Sequence, residues 1–160
     1  MAYRIGLGTD FHQLVEGRNL WLGGIMIPHD KGALGHSDAD VLLHAICDAL
    51  LGALNLGDIG IHFPDSESSL KDVRSGILLE KTIQLIRAKG YQIVNLDSVV
   101  CLEKPKIMGY AAGMRTAIAN ILKIPIDDIS IKATTTEKLG FVGREEGIMA
   151  QAVVLLRKPD

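Results

Sequence analysis

The stretch "DADVLLHAICDALLGAL", residues 38–54, decides the fold. It is apolar on almost every side, so a helix built from it has no solvent face and other elements must pack around it. We expect the helix over about 39–54, with "SDAD", Ser37 to Asp40, at its start in the capping-box spacing. Within that run His44 is conspicuous. A buried imidazole needs partners for both ring nitrogens, and metal ligation by one with a hydrogen bond from the other satisfies both.

On the N-terminal side lies "RIGLGTDFH", residues 4–12, in which 3–9 should form a strand. Asp10 and His12 are two positions apart, the repeat of extended chain, so both project to one side. They suit a metal site, an acid/base pair or a polar strand end. "NLWLGGIMIP" (19–28) should be a short hairpin turning at Gly23-Gly24. On the C-terminal side the loop "LGDIGIHFPDSESS" leads to a second helix over about 70–88, ended by Gly90. "YQIVNLDSVVCLE" (91–103) alternates as a long strand, and a third helix follows Pro105 over roughly 107–122. "DISIKATTT" and "GIMAQAVVLLRK" are the last two strands. This order suits an α+β fold, a mixed β-sheet with helices packed on one face, as a single domain over 1–160. Ile131 and Ala133 oppose Met149, Gln151 and Val153 across the sheet, so one side should meet another surface rather than water.

Composition excludes several functions. Aromatic residues are only 4% and the net charge is −2 without a basic stripe, which argues against nucleic-acid binding. The longest apolar stretch is broken by His44, Asp48 and Asp58, so no membrane span is expected. No charged-then-apolar leader is visible, and Cys47 and Cys101 are too few for a disulfide framework, so the expected address is the cytoplasm. An anionic ligand must then be held by backbone amides, a few cations or bound metal.

Two constellations carry chemistry. Asp10, His12 and His44 supply two imidazoles and a carboxylate, which leaves the fourth position of a zinc tetrahedron open, as in catalytic sites. Cys47, three residues after His44, and His62 in the loop are rival ligands. "KATTTEKLGFVGREEG" (132–147) combines hydroxyls, turn amides and glycines into an anion nest, against the plainer reading of a β-rich Thr run and a polar turn. "LGHSD" before the first helix, "DIGIHFPD" and "LEKPKIM" are weaker candidates of the same kind. "GLG" alone is too short for a dinucleotide fingerprint.

Taken in order, "GLGTDFH", "GHSDADVLLHAICDALLGAL", "LGDIGIHFPD", "RAKGYQIVNLD", "KPKI" and "IKATTTEKLGFVGREEGI" resemble the 2-C-methyl-D-erythritol 2,4-cyclodiphosphate synthase family over nearly the whole chain. The resemblance implies that Asp10, His12 and His44 ligate zinc. It also implies that Glu137 helps hold a second divalent ion, magnesium or manganese, and that His36 and Thr135 stabilise the transition state. The implied substrate lining comprises Asp10, Phe11 and His12; His36 and Ser37; Asp58, Ile59 and Gly60; and Phe63, Pro64, Asp65, Ser66 and Glu67. It continues through Leu102, Glu103, Lys104, Pro105, Lys106, Ile107 and Met108 to Thr134, Thr135, Thr136 and Glu137, with Phe141 and Arg144 alongside. The family is a homotrimer with sites between subunits, and some members carry isoprenoid diphosphate in an axial cavity near the position of Arg144. The implied reaction converts 4-diphosphocytidyl-2-C-methyl-D-erythritol 2-phosphate to the 2,4-cyclodiphosphate with release of CMP, in the non-mevalonate route to isoprenoids. The same ligands would also serve a metal-dependent phosphohydrolase, and a trimeric binding protein with structural zinc is a third reading. One departure stands out: Ala39 replaces the glycine of "HSDGD", and we expect ordinary helical dihedrals there.

Overall fold

Two glycines let the first strand lie directly on the buried helix. The computed structural model describes residues 2–64 and 73–160, and in it strand β1 (Ala2–Glu16) crosses helix α1 (Val41–Ala53) at Gly6 and Gly8. A Cβ on Gly6 would overlap the carbonyl oxygen of Ala49, and one on Gly8 that of Ala45. The "GLG" of this strand therefore serves close approach of two backbones. Helix α1 is buried at every position except His44, Asp48 and Gly52, as its sequence requires. It packs on β1 and on β7 (Gly147–Lys158), and on its other side against α3 (Ser75–Ala88).

The helix start differs from the expected one. Val41 is the first helical residue and Asp40 is the N-cap, its Oδ1 accepting from the Leu43 amide at 3.1 Å. The same carboxylate accepts from Gly23 N at 2.9 Å and Gly24 N at 2.7 Å. It thus pins the hairpin of β2 (Leu20–Leu22) and β3 (Ile25–Ile27) to the helix. Ser37 does not cap. Because the helix begins later than 39, Ala39 lies in the turn before it with φ of +55°. The expectation of helical dihedrals is corrected: the residue is left-handed, at a steric cost of about 1–2 kcal/mol for a side chain with a Cβ.

The main sheet has order β4-β1-β7-β5-β6, with β4 at Lys31–Ala33, β5 at Gln92–Cys101 and β6 at Ile129–Thr134. Among the described residues only β5 and β6 run parallel, joined through α4 (Ala111–Leu122), so the sheet is mixed. Alternate residues of β7, from Ile148 to Leu156, are buried under the helices. Val153, Tyr3, Ile5 and Leu7 are exposed on the other side. β1 runs well past the expected 3–9 because it pairs with β7 through Gln13 and then with β4 from Leu14. Asp10 and His12 consequently sit inside the strand. The segment expected to be loop after α1 holds a one-turn helix, α2 (Ile59–His62), and a second short turn, α5 (Gly140–Gly143), follows the Thr run.

Candidate metal centre

Asp10 and His12 project from one side of β1, and His44, in the first turns of α1, meets them. His12 Nε2 is 2.9 Å from Asp10 Oδ2, His44 Nδ1 is 3.1 Å from the same oxygen, and the two nitrogens are 3.2 Å apart. Tetrahedral zinc ligands, each about 2.0–2.1 Å from the ion, stand roughly 3.3 Å from one another. The triangle therefore fits one ion. The outer nitrogens are occupied, His12 Nδ1 by the Leu34 carbonyl at 2.9 Å and His44 Nε2 by Ser75 Oγ at 2.9 Å and Ser37 Oγ at 3.2 Å. Among the described residues this trio is the grouping of His, Cys, Asp and Glu with the proximity to hold a metal.

Charge follows from those contacts. Burial pushes the Asp10 carboxyl up, but hydrogen bonds and attraction from His12 and His44 outweigh it and hold the group well below the usual carboxylate range. Burial pushes His12 down, and the Asp10 carboxylate reverses this, leaving the imidazole above its ordinary value. Neither rival ligand competes. Burial pushes the Cys47 thiol up to about 12, so it stays protonated, and His62 Nε2 is engaged by the Leu56 carbonyl at 2.8 Å.

His12 and His44 of the trio line a cavity of about 480 Å³, together with His36, Ser37, Ile59, Gly60, Phe63 and Pro64. His36 Nε2 is buried there without a hydrogen-bond partner, a polar atom ready for a ligand. Asp58 caps α2 through Ile61 N at 3.0 Å, and Asp48 holds Ile59 N at 2.7 Å, which together set the cavity wall. The candidates Asp65, Ser66 and Glu67 fall outside the described residues.

The remaining candidates form two further groups. A hollow of about 170 Å³ is lined by Leu102, Pro105, Lys106, Ile107, Met108, Thr134 and Thr135. Beside it Lys104 pairs with Glu145 at 2.9 Å, next in the chain to Glu103. The Thr run folds on itself: Thr135 Oγ1 donates to Glu137 Oε1 at 3.3 Å and Thr136 Oγ1 to the Leu139 carbonyl at 2.6 Å. Glu137 takes φ of +53° in that turn and is not part of the Asp10 trio. Phe11 and Phe141 approach to 6.0 Å between centroids, and Arg144 is paired with Glu146 at 3.0 Å. Three strand steps separate β1 from β6, about 14 Å at the usual spacing, so one chain does not merge the trio and the Thr loop into one pocket. Sequence reasoning missed Ser75 and gave Asp38, within "LGHSD", no role of its own; the two contact each other behind His44. A helix expected from about 70 would bury Ser75 in mid-helix, where a serine carries no signal.

Comparison with known proteins bears on this geometry. The model of the YgbB family matches residues 3–157. The 2-C-methyl-D-erythritol 2,4-cyclodiphosphate synthase of Bacteroides fragilis (strain YCH46) is 61% identical over 158 residues, covering 99% of either chain. A solved structure of 2C-methyl-D-erythritol-2,4-cyclodiphosphate synthase in a CDP-bound form superposes with a TM-score of 0.89 at 38% identity, covering 96% of this chain and 100% of that one. The bifunctional IspDF of Campylobacter jejuni gives a TM-score of 0.95 at 40% identity over 99% of this chain, which spans 43% of that longer protein.

Proposed function

The chain belongs to the YgbB family, and from that membership we propose that it is an enzyme closing 4-diphosphocytidyl-2-C-methyl-D-erythritol 2-phosphate into the 2,4-cyclodiphosphate with release of CMP. The observation that carries the reading is the Asp10–His12–His44 triangle beside a cavity, on a chain similar along its length to synthases of that name.

The 2-phosphate of the substrate attacks the β-phosphorus of the CDP group and CMP departs. The nucleophile is already an anion, so no side chain need remove a proton. Repulsion is the obstacle: two unit charges about 4 Å apart repel by roughly 4 kcal/mol at an effective dielectric near 20. Zinc on Asp10, His12 and His44, with magnesium or manganese aided by Glu137, would supply the positive charge that polarises the diphosphate and eases the departure of CMP. His36 and Thr135 donate hydrogen bonds where charge builds on phosphoryl oxygens, a role supported by the unpartnered Nε2 of His36. The loops bearing Asp58 and Phe63, and those bearing Lys104, Lys106 and Thr134, hold the two ends of a flexible substrate in line. Separation of the trio from the Thr loop supports completion of each site by a neighbouring copy in a homotrimer. Arg144 would face an isoprenoid diphosphate on its axis. No helix among the described residues is long and apolar enough to cross a membrane, and both cysteines are free, which suits action in the cytoplasm.

Incubating the protein with the CDP-linked substrate, with and without chelator, tests the proposal. Cyclic diphosphate and CMP should appear together and cease with chelator. Ring-opened monophosphates instead would support phosphohydrolysis. His44→Ala should lose both turnover and bound zinc while circular dichroism stays near wild type. Full zinc stoichiometry in that variant rejects the ligand assignment.

A further inference from the structure

Behind His44, on the side away from Asp10, lies a chain of polar groups that the reaction as described does not use. Ser75 is the first residue of α3 and is fully buried. Its Oγ donates to Asp38 Oδ1 and stands 2.9 Å from His44 Nε2. Asp38 is itself held, its Oδ2 accepting from the Ser75 amide at 3.0 Å and from Arg74 Nε at 3.2 Å. The Arg74 guanidinium in turn lies 3.4 Å over the Trp21 ring.

A serine hydroxyl has one proton. With that proton committed to an ionised carboxylate, which can only accept, Oγ has nothing left to offer His44 but a lone pair. His44 Nε2 must then be the donor, and a neutral ring so protonated carries its free lone pair on Nδ1. That is the atom aimed at Asp10 and His12. We propose that Ser75, oriented by Asp38, is a positioning residue that fixes His44 in the Nε2–H tautomer and aims Nδ1 at the metal. The inference rests on the metal reading above. Ser37 Oγ also reaches His44 Nε2, at the longer 3.2 Å; it accepts from the Ala39 amide at 3.1 Å and stands 3.5 Å from Ser75 Oγ, to which it can give its own proton while accepting from His44. Its influence on the tautomer is accordingly the weaker.

Partners of this kind behind a metal-ligating histidine typically change metal affinity by about 10–100-fold when removed. The test is zinc affinity by chelator competition on loaded wild-type protein, Ser75→Ala and Ser37→Ala. Ser75→Ala should weaken zinc by at least about tenfold, and Ser37→Ala by less. Nitrogen-15 spectra of the loaded wild type supply a readout that does not depend on a variant folding. The His44 Nε2 proton should be visible and slow to exchange, and in Ser75→Ala it should exchange faster. Unchanged affinity in Ser75→Ala, or a fast-exchanging His44 proton in the wild type, overturns the positioning role. Failure of the wild type to bind zinc, or zinc binding that survives His12→Ala undiminished, overturns the metal reading instead.

Discussion

Ala39, between Asp38 and Asp40 in the chain, combines a positive φ with full burial of its methyl group. Both neighbours need this turn: Asp38 backs His44 through Ser75, and Asp40 caps α1 and clamps the hairpin. The three amide hydrogen bonds that the neighbouring Asp40 carboxylate accepts offset the backbone cost. A β-branched side chain tolerates a left-handed conformation far less well. Ala39→Val should therefore lower stability by more than about 2 kcal/mol in chemical denaturation, and a loss under about 0.5 kcal/mol would contradict the left-handed turn. The metal residues make a pH prediction. Asp10, depressed in the folded chain, contributes stability above its ordinary value of about 3.8, lost as pH falls through the depressed one. His12, raised, contributes below about 6.5, lost as pH rises through the raised value. Without metal, Asp10 and His12 therefore stabilise the fold most between those limits. Zinc needs His12 neutral, so the rise in melting temperature on adding zinc should grow with pH through the range just above 6.5. Melting curves with and without zinc over that range check it, and an increment that shrinks with rising pH would contradict ligation by His12.

At the scale of elements, the crossing of β1 over α1 sets the distance between the two sources of metal ligands. Gly6 and Gly8 face the backbone of α1 at Ala49 and Ala45, one residue from His44, so strand and helix approach with no side chain between them. Gly8→Ala would force its methyl into the Ala45 carbonyl and push the strand outward. It should cost upwards of about 3 kcal/mol and weaken zinc more than a distant core substitution of equal cost, because it spreads Asp10 and His12 from His44. Equal zinc affinity at reduced stability would show that the crossing does not set the site. The buried helix and the trio were legible beforehand because an all-round apolar run and a two-residue spacing are local signals. The purpose of "GLG" was not, since it depends on which helix turn lies opposite. The same holds for the cap: Ser37 and Asp40 both have capping chemistry, and only the hairpin amides of Gly23 and Gly24, distant in sequence, select Asp40. Ser75 was hidden likewise, its partners His44 and Asp38 lying more than thirty positions away.

Across the whole molecule, the helices cover one side of the sheet and leave an apolar area on the other. Ile5 is 72% exposed and Leu7 64%, with Tyr3 beside them and Val153 opposite Leu7 in the register of β1 and β7. Large side chains contiguous on a strand face at that exposure mark an interaction surface, and the homotrimer proposed above would cover it with another copy. The metal trio lies within one chain, whereas the Thr135 loop is three strands away, so assembly and metal binding separate experimentally. If three copies close around this face, sedimentation should give three times the 17.3 kDa chain mass. Leu7→Glu places a charge in the contact without touching the core, because Leu7 points away from α1 while Gly6 and Gly8 point toward it. That variant should sediment as a single chain, keep its zinc and lose turnover, since donors from a neighbour would no longer reach the phosphates. A single-chain Leu7→Glu with full turnover would place the whole reaction inside one subunit. A wild type that sediments as one chain would leave the apolar face without a partner.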